Sequence, residues 1–179
     1  MKSVKKKFSS VGRSELIKIA ISSCLLGNRV RYNGESKLNR ILIETMNDRV
    51  KLIPICPEVE CGMDVPREPA DLVMDKSGLH LITRSGNELT EKLIKWSENR
   101  VKRLKAEGVK GIILKSRSPS CGLYDAQIYD SLNKKWVKGM GLFTAIVIEH
   151  IPEIAVEDEA HLNSIEKITG FIERIVEEG

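Results

Sequence analysis

IKIAISSC, at residues 17–24, is a short apolar run that ends in a cysteine, and two further runs share this pattern. Val50–Ile55 precedes Cys56, and Gly111–Leu114 precedes the loop that contains Cys121. Short runs rich in β-branched residues and bounded by Pro, Gly or Ser are typical of buried strands. In parallel sheets, ligands bind beyond the carboxyl ends of the strands. We therefore expect the three thiols to converge at one edge of a sheet and to bind a metal.

Helical spacing and turn signals extend this pattern along the chain. The periodicity predicts helices at 38–49, 88–107, 142–150 and 163–178, the last with Asn163 as its N-cap. Hairpins are predicted at 71–83 and 126–137, and a fourth short strand at 154–156. This order predicts an α/β fold at residues 15–179, a single Rossmann-like domain with a mostly parallel sheet flanked by helices, plus small hairpins.

Charge is concentrated at the amino terminus. Residues 1–14 carry five of the 29 basic residues and no acid, which predicts a flexible basic tail. The remaining 24 basic residues nearly balance the 25 acids. A protein that binds nucleic acid over its whole surface would not have this balance. RNA is therefore a less favoured partner than a small molecule.

Cysteine usage points to metal binding or catalysis. No run is long enough to span a membrane, and Glu15 and Lys18 interrupt the apolar core that a lipoprotein signal would need. We expect a cytoplasmic protein without membrane association, whose thiols stay reduced. The sequence predicts no oligomeric state.

The spacing of the cysteines argues against zinc and favours an iron–sulfur cluster. A zinc ribbon needs closely spaced pairs of Cys or His, which this chain lacks. The histidines, His80, His150 and His161, fall on elements remote from the cysteine loops and are expected to be surface or packing residues. Iron–sulfur clusters accept dispersed cysteines. Three thiolates on a four-iron cluster leave one iron open to bind a soft sulfur ligand.

Cys61, five residues after Cys56, leaves two alternatives. As a fourth ligand it would close the cluster, and the chain would be an electron-transfer or cluster-carrier protein. As a small hydrophobic residue it would leave the site open for catalysis. Its position inside a loop, away from a strand end, favours the second alternative.

Polar residues beside the cysteines predict chemistry, each with a structural alternative. Glu58 could position or deprotonate water, or serve as a helix cap or salt-bridge partner. Ser118 and Ser120 could donate to a cluster or substrate, or cap backbone groups. Basic residues in the same loops suit an anionic cluster or a phosphorylated ligand, or are scattered surface charge. They are Arg29, Arg31, Arg67, Lys115 and Arg117.

Three separated motifs carry a family resemblance. The chain contains CLLG at 24–27 with VRYNG at 30–34, CPEV at 56–59 with VPR at 65–67, and SPSCG at 118–122. In this order they resemble the DUF523 family, which includes thiouracil desulfurases, and the resemblance extends over about residues 17–160. It implies a Rossmann-like fold and an oxygen-sensitive [4Fe-4S] cluster held by Cys24, Cys56 and Cys121.

The resemblance also implies a reaction and a substrate class. In this reaction, a thiolated pyrimidine (thiouracil, thiouridine or its nucleotide) loses its sulfur as sulfide and gains oxygen from water, without an electron donor. Our hypothesis for this reaction is that Glu58 activates the water or moves protons, and that Ser118 helps to orient the ring. The chain is therefore expected to be an iron–sulfur-dependent desulfurase acting on a free small molecule.

Overall fold

The strands and helices follow the predicted α/β order. The computed structural model describes residues 16–46 and 50–177, so the predicted basic tail at 1–14 lies outside the described residues. The strands are β1 Ile17–Ser22, β2 Val50–Ile55, β3 Ala70–Asp75, β4 Gly78–Thr83, β5 Gly111–Leu114, β6 Ala126–Asp130, β7 Lys135–Gly139 and β8 Ala155–Asp158. The helices are α1 Arg40–Met46, α2 Pro57–Glu60, α3 Thr90–Ala106, α4 Leu142–His150 and α5 Ile165–Glu177. No described helix has the length and apolar character needed to cross a bilayer.

A parallel sheet joins the strands that precede the three cysteines. Its order is β2-β1-β5-β8, and all three pairings are parallel. In the register, Ile19 of β1 lies between Leu52 of β2 and Gly111 of β5. The carboxyl ends of these neighbouring strands therefore lie at the same edge. The predicted α/β class with a parallel sheet is confirmed.

Helices cover both faces of this sheet. Alternate side chains of a strand point to opposite faces. Ile19, Ile21 and Ile113 accordingly belong to one core with residues of α1 and α5, and Ala20 and Ile112 belong to another with residues of α3 and α4. These side chains are at most 1% exposed. Because the sheet is covered on both sides, its central strands β1 and β5 are predominantly apolar and show no strict alternation of polar and apolar residues.

The two predicted hairpins join into a second sheet. Its order is β4-β3-β6-β7, with antiparallel pairs at both ends and a parallel pairing between β3 and β6 in the middle. Leu72 of β3 pairs with Leu81 and Ile128, and this apolar face contacts Leu93 of α3 and Leu142 of α4. The hairpins thus form one mixed sheet that packs against the helices of the first.

Three predicted helix starts differ from the structure. Helix α1 begins at Arg40, two residues after the predicted start at 38. Helix α3 begins at Thr90, because Glu88 is still held in a β-bridge with Ile82. Asn163 is not the N-cap of the last helix. That cap would place the first helical residue at 164, whereas α5 begins at Ile165. Ser164 caps it instead, since its Oγ accepts the backbone N–H of Lys167 at 3.3 Å.

Candidate active site

Three of the four cysteines line one cavity at the carboxyl edge of the parallel sheet. Cys24 lies in a 3-10 turn that follows β1, Cys56 directly follows β2, and Cys121 lies in the loop after β5. Because β1 lies between β2 and β5, these loops leave the sheet side by side. The cavity has a volume of about 880 Å³. The structure therefore brings together the three predicted ligands.

Hydrogen bonds and two glycines shape the turn that presents Cys121. Ser118 Oγ accepts the backbone N–H groups of Ser120 and Cys121 at 3.2 and 3.0 Å. A Cβ atom at Gly122 would lie 2.8 Å from the Ser118 carbonyl oxygen, and one at Gly141 would lie 2.6 Å from the Ser120 backbone. Only glycine permits such close backbone approaches. The position of Cys121 therefore depends on residues from both sides of its loop.

Burial raises the pKa of all three thiols in the cavity. The pKa of Cys24 rises to about 11, because burial and then the neighbouring Cys56 disfavour its thiolate. Burial also raises the pKa of Cys56, and it raises that of Cys121 well above the usual range. The thiolate is the form that binds a metal, so a cation must offset this cost, and binding releases protons.

The spacing of the sulfur atoms does not suit a single zinc ion. Zn–S bonds of about 2.3 Å place the thiolates of a tetrahedral site about 3.8 Å apart. Within residues 16–46 and 50–177, the three cysteine sulfurs do not all lie within 4.8 Å of one another. The ligand atoms that do so belong to Glu157, Asp158 and His161. A wider triad of soft donors fits a polynuclear iron–sulfur centre. None of the described residues that line the cavity is a histidine.

Cys61 lies apart from this cavity. It follows α2, and its Sγ donates a hydrogen bond to the carbonyl oxygen of Glu58 at 3.2 Å. Its side chain packs with Met63 against the apolar core of the second sheet, and it is not among the residues that line the cavity. The structure thus favours the alternative in which Cys61 is a small hydrophobic residue.

Glu58 holds both carboxylate oxygens in hydrogen bonds while lining the cavity. Its Oε2 accepts from Nε and Nη2 of Arg67 at 2.8 and 2.5 Å, and its Oε1 accepts from Ser120 Oγ at 2.9 Å. The structure thus shows the salt-bridge role of Glu58, in a carboxylate that also lines the cavity. Ser120 as a partner of Glu58 could not be predicted, because 62 residues separate the two.

Ser118 also lines the cavity, although its hydroxyl oxygen serves the Cys121 turn. A serine hydroxyl accepts through its oxygen and donates one hydrogen. Because the two bonds from backbone N–H groups use Oγ only as an acceptor, its hydrogen stays available to a ligand. Capping and ligand contact are thus compatible at this residue.

The basic residues are divided between the cavity and the surface. Arg29 does not line the cavity, because its Nε donates instead to the carbonyl oxygen of Gly34 at 2.9 Å. Arg29 is exposed and therefore follows the alternative of surface charge. The other four predicted residues line the cavity: Arg31, Arg67, Lys115 and Arg117.

A second ion pair in the cavity, between Lys115 and Glu159, was not predicted from the sequence. Lys115 Nζ pairs with Glu159, whose carboxylate also accepts the backbone N–H and the Oγ of Ser116 at 2.7 and 2.9 Å. Glu159 follows β8, 44 residues after Lys115. The signal was available, because β8 is a fourth parallel strand whose carboxyl end lies at the same edge.

The fold and site define a class of α/β proteins in which three free thiols and an acid surround one cavity at the carboxyl edge of a parallel sheet. The chain belongs to the 2-thiouracil desulfurase family, whose profile matches residues 19–159. This match covers most of the chain and contains all three cavity cysteines. The predicted resemblance to the DUF523 family of thiouracil desulfurases is thereby confirmed.

Two relatives extend this finding. The chain is 30% identical over 154 residues to the uncharacterized protein YbbK of Bacillus subtilis (strain 168), covering 82% of this chain and 99% of YbbK. It is also similar to the solved structure of the [4Fe-4S]-dependent thiouracil desulfidase TudS, with 32% identity and a TM-score of 0.65. That alignment covers 84% of this chain and 95% of TudS.

Proposed function

We propose that this protein is an iron–sulfur-dependent desulfurase that replaces the sulfur of a thiolated pyrimidine by oxygen from water and releases sulfide. The observation that carries the proposal is the cavity in which three thiols from three strand ends, two of them buried and that of Cys56 partly buried, meet the Glu58 carboxylate. Membership of the 2-thiouracil desulfurase family and the likeness to a [4Fe-4S]-dependent thiouracil desulfidase support it.

Cys24, Cys56 and Cys121 would hold the [4Fe-4S] cluster. They are soft donors on adjacent strand ends, and they share one cavity. Burial raises the pKa of each free thiol, so binding of a metal would release its proton. When bound, the cluster would supply a soft Lewis acid that polarises the C=S group.

The residues around the cavity supply the acid–base chemistry. The Glu58 carboxylate accepts a proton from the attacking water, and the free hydroxyl hydrogen of Ser118 donates to a polar atom of the pyrimidine. Overall, the C=S group and water become a C=O group and hydrogen sulfide. Both bonds to sulfur are replaced by bonds to oxygen, so no electron donor is required.

The cavity also bears on the substrate. Its volume of about 880 Å³ is within the usual range for small-molecule sites, roughly 300–1,000 Å³. It would accommodate a thiolated base, nucleoside or nucleotide, whereas a folded RNA would have to insert a single base. Arg31, Lys37 and Arg40 add positive charge along the lining, which suits a negatively charged form of the substrate. We place the reaction in the cytoplasm, where the free cysteines would remain reduced.

Anaerobic reconstitution followed by a sulfide-release assay tests the proposal. The protein is loaded with iron and sulfide, desalted, and incubated with 2-thiouracil, 4-thiouracil, thiouridine and thiouridine monophosphate. We expect stoichiometric release of sulfide and the oxo-pyrimidine from at least one of them. Glu58→Gln should retain its iron and lose about 100-fold or more of the rate, the contribution of a positioned general base.

The matched control is Glu98→Gln, which makes the same change at an exposed acid of α3. It should keep the wild-type rate. An iron-loaded protein that releases no sulfide from any of these compounds would contradict the proposed function. A Glu58→Gln variant with the wild-type rate would remove Glu58 from the mechanism.

A further inference from the structure

We propose that Arg67 is a positioning residue that acts through Glu58, aiming its carboxylate into the cavity with the help of Ser120. This inference rests on the proposed function, because it assigns how the proposed base is held. Arg67 lines the cavity beside the cysteines, so a role in binding an anionic substrate is the competing explanation. The hydrogen bonds of the guanidinium decide between the two.

Every N–H donor of Arg67 already has a protein acceptor. A guanidinium carries five N–H donors and no acceptor. The Nε and one Nη2 donor bind Glu58 Oε2 at 2.8 and 2.5 Å. The other three donors bind carbonyl oxygens, each at 3.1 Å. Nη1 donates to Val30 and to Asp64, and the second Nη2 donor also binds Val30. No donor is left for a substrate, and the side chain is only 11% exposed.

The acceptors of Arg67 connect the loops that carry the three cysteines. Val30 lies in the loop that follows Cys24, and Glu58 lies two residues after Cys56. The other oxygen of Glu58 is bound by Ser120, which precedes Cys121 and is fully buried. The carboxylate is therefore fixed from two sides by groups on different loops. A base that is held in this way loses little orientational freedom when it accepts a proton.

The contrast with neighbouring cations supports this assignment. Lys37 and Arg40 line the same cavity, and neither forms an ion pair within residues 16–46 and 50–177. They retain donors for a ligand, whereas Arg67 has none. Arg67 should therefore affect the rate of the bound complex, and substrate affinity should depend on other residues.

A double-mutant cycle between Arg67 and Glu58 tests the proposal in the reconstituted enzyme. Arg67→Met should lower kcat per bound cluster about 10- to 100-fold and leave KM nearly unchanged. In the Glu58→Gln background the same change should cost less than about 3-fold, because the group through which Arg67 acts is already gone. Ser120→Ala should show the same pattern with a smaller loss of kcat. Arg103→Met, at an exposed arginine of α3, is the matched control and should leave kcat unchanged.

A second cycle needs no turnover. Urea unfolding of the cluster-free protein should show that the effects of Arg67→Met and Glu58→Gln on the midpoint are also less than additive, because the two side chains bind each other. Iron content after reconstitution shows whether each variant still assembles the cluster.

The outcomes separate this inference from the proposed function. Independent, multiplicative effects of the two substitutions on kcat would overturn the positioning role and leave the desulfurase assignment intact. A raised KM with unchanged kcat in Arg67→Met would also overturn it, because that result means substrate binding. If the wild-type enzyme releases no sulfide, the proposed function fails and the positioning role fails with it.

Discussion

The two ends of helix α2 carry one cysteine each, and these two partly buried thiols lie in different surroundings. Cys56 precedes the helix, follows a strand of the parallel sheet and lines the cavity. Cys61 follows the helix, donates to the carbonyl oxygen of Glu58 and packs against the second sheet. One helical turn is thus enough to send two thiols into different surroundings. The three thiols that share the cavity come from neighbouring strand ends, and Cys61 lies outside it although it is close to Cys56 in sequence.

Replacing each of these two cysteines by serine should give the largest difference in iron content and in the rate of sulfide release. Cys56→Ser removes a proposed ligand, so we expect loss of iron and a fall in sulfide release beyond the roughly 10- to 100-fold that outer partners of metal sites contribute. Cys61→Ser should keep the iron content and rate of the wild type, because this thiol is outside the cavity. Iron analysis and the sulfide assay on the two reconstituted variants measure both effects.

Loss of the cluster in Cys61→Ser would support a different class of protein. If Cys61→Ser loses the cluster as fully as Cys56→Ser, all four thiols are ligands. The cluster would then be closed, as in an electron-transfer or cluster-carrier protein.

A smaller effect should follow from substitution of Gly141, which lies against the Cys121 loop. A Cβ atom there would lie 2.6 Å from the backbone of Ser120, so Gly141→Ala must displace the loop. We expect a loss of roughly 1–3 kcal/mol in the free energy of unfolding. Gly170→Ala is the control, because no atom lies within 4 Å of a Cβ at this exposed position of α5. It should gain roughly 0.5–1 kcal/mol, as alanine is the better helix former.

Urea unfolding of the cluster-free variants, followed by circular dichroism, gives both values. Equal stability of Gly141→Ala and the wild type would mean that the Cys121 loop adapts freely. The close backbone contact would then have no part in placing that thiol.

The sequence predicts the parts of this molecule that depend on strand ends. Cys24, Cys56 and Cys121 could be placed together because apolar runs reveal buried parallel strands, and such strands share an edge. The α/β class, the family and the class of enzyme predicted from these motifs are confirmed. Glu58 could be singled out because it is two residues from a strand-end cysteine.

Contacts between distant segments could not be predicted in this way. The bond from Ser120 to Glu58 and the parallel pairing of β3 with β6 depend on how whole segments pack, which local periodicity does not encode. Asn163 shows a local limit, because two adjacent residues, Asn163 and Ser164, are both good N-caps. In the structure Ser164 is the residue that caps the helix.

Mössbauer spectroscopy of enzyme reconstituted with ⁵⁷Fe tests the central claim most directly. The claim is that three cysteines hold the [4Fe-4S] cluster and leave one iron available to the substrate. We predict that addition of a thiolated pyrimidine under anaerobic conditions changes the signal of one of the four irons, in the wild type and equally in Cys61→Ser. A spectrum of four cysteine-ligated irons that the substrate does not alter would contradict the claim.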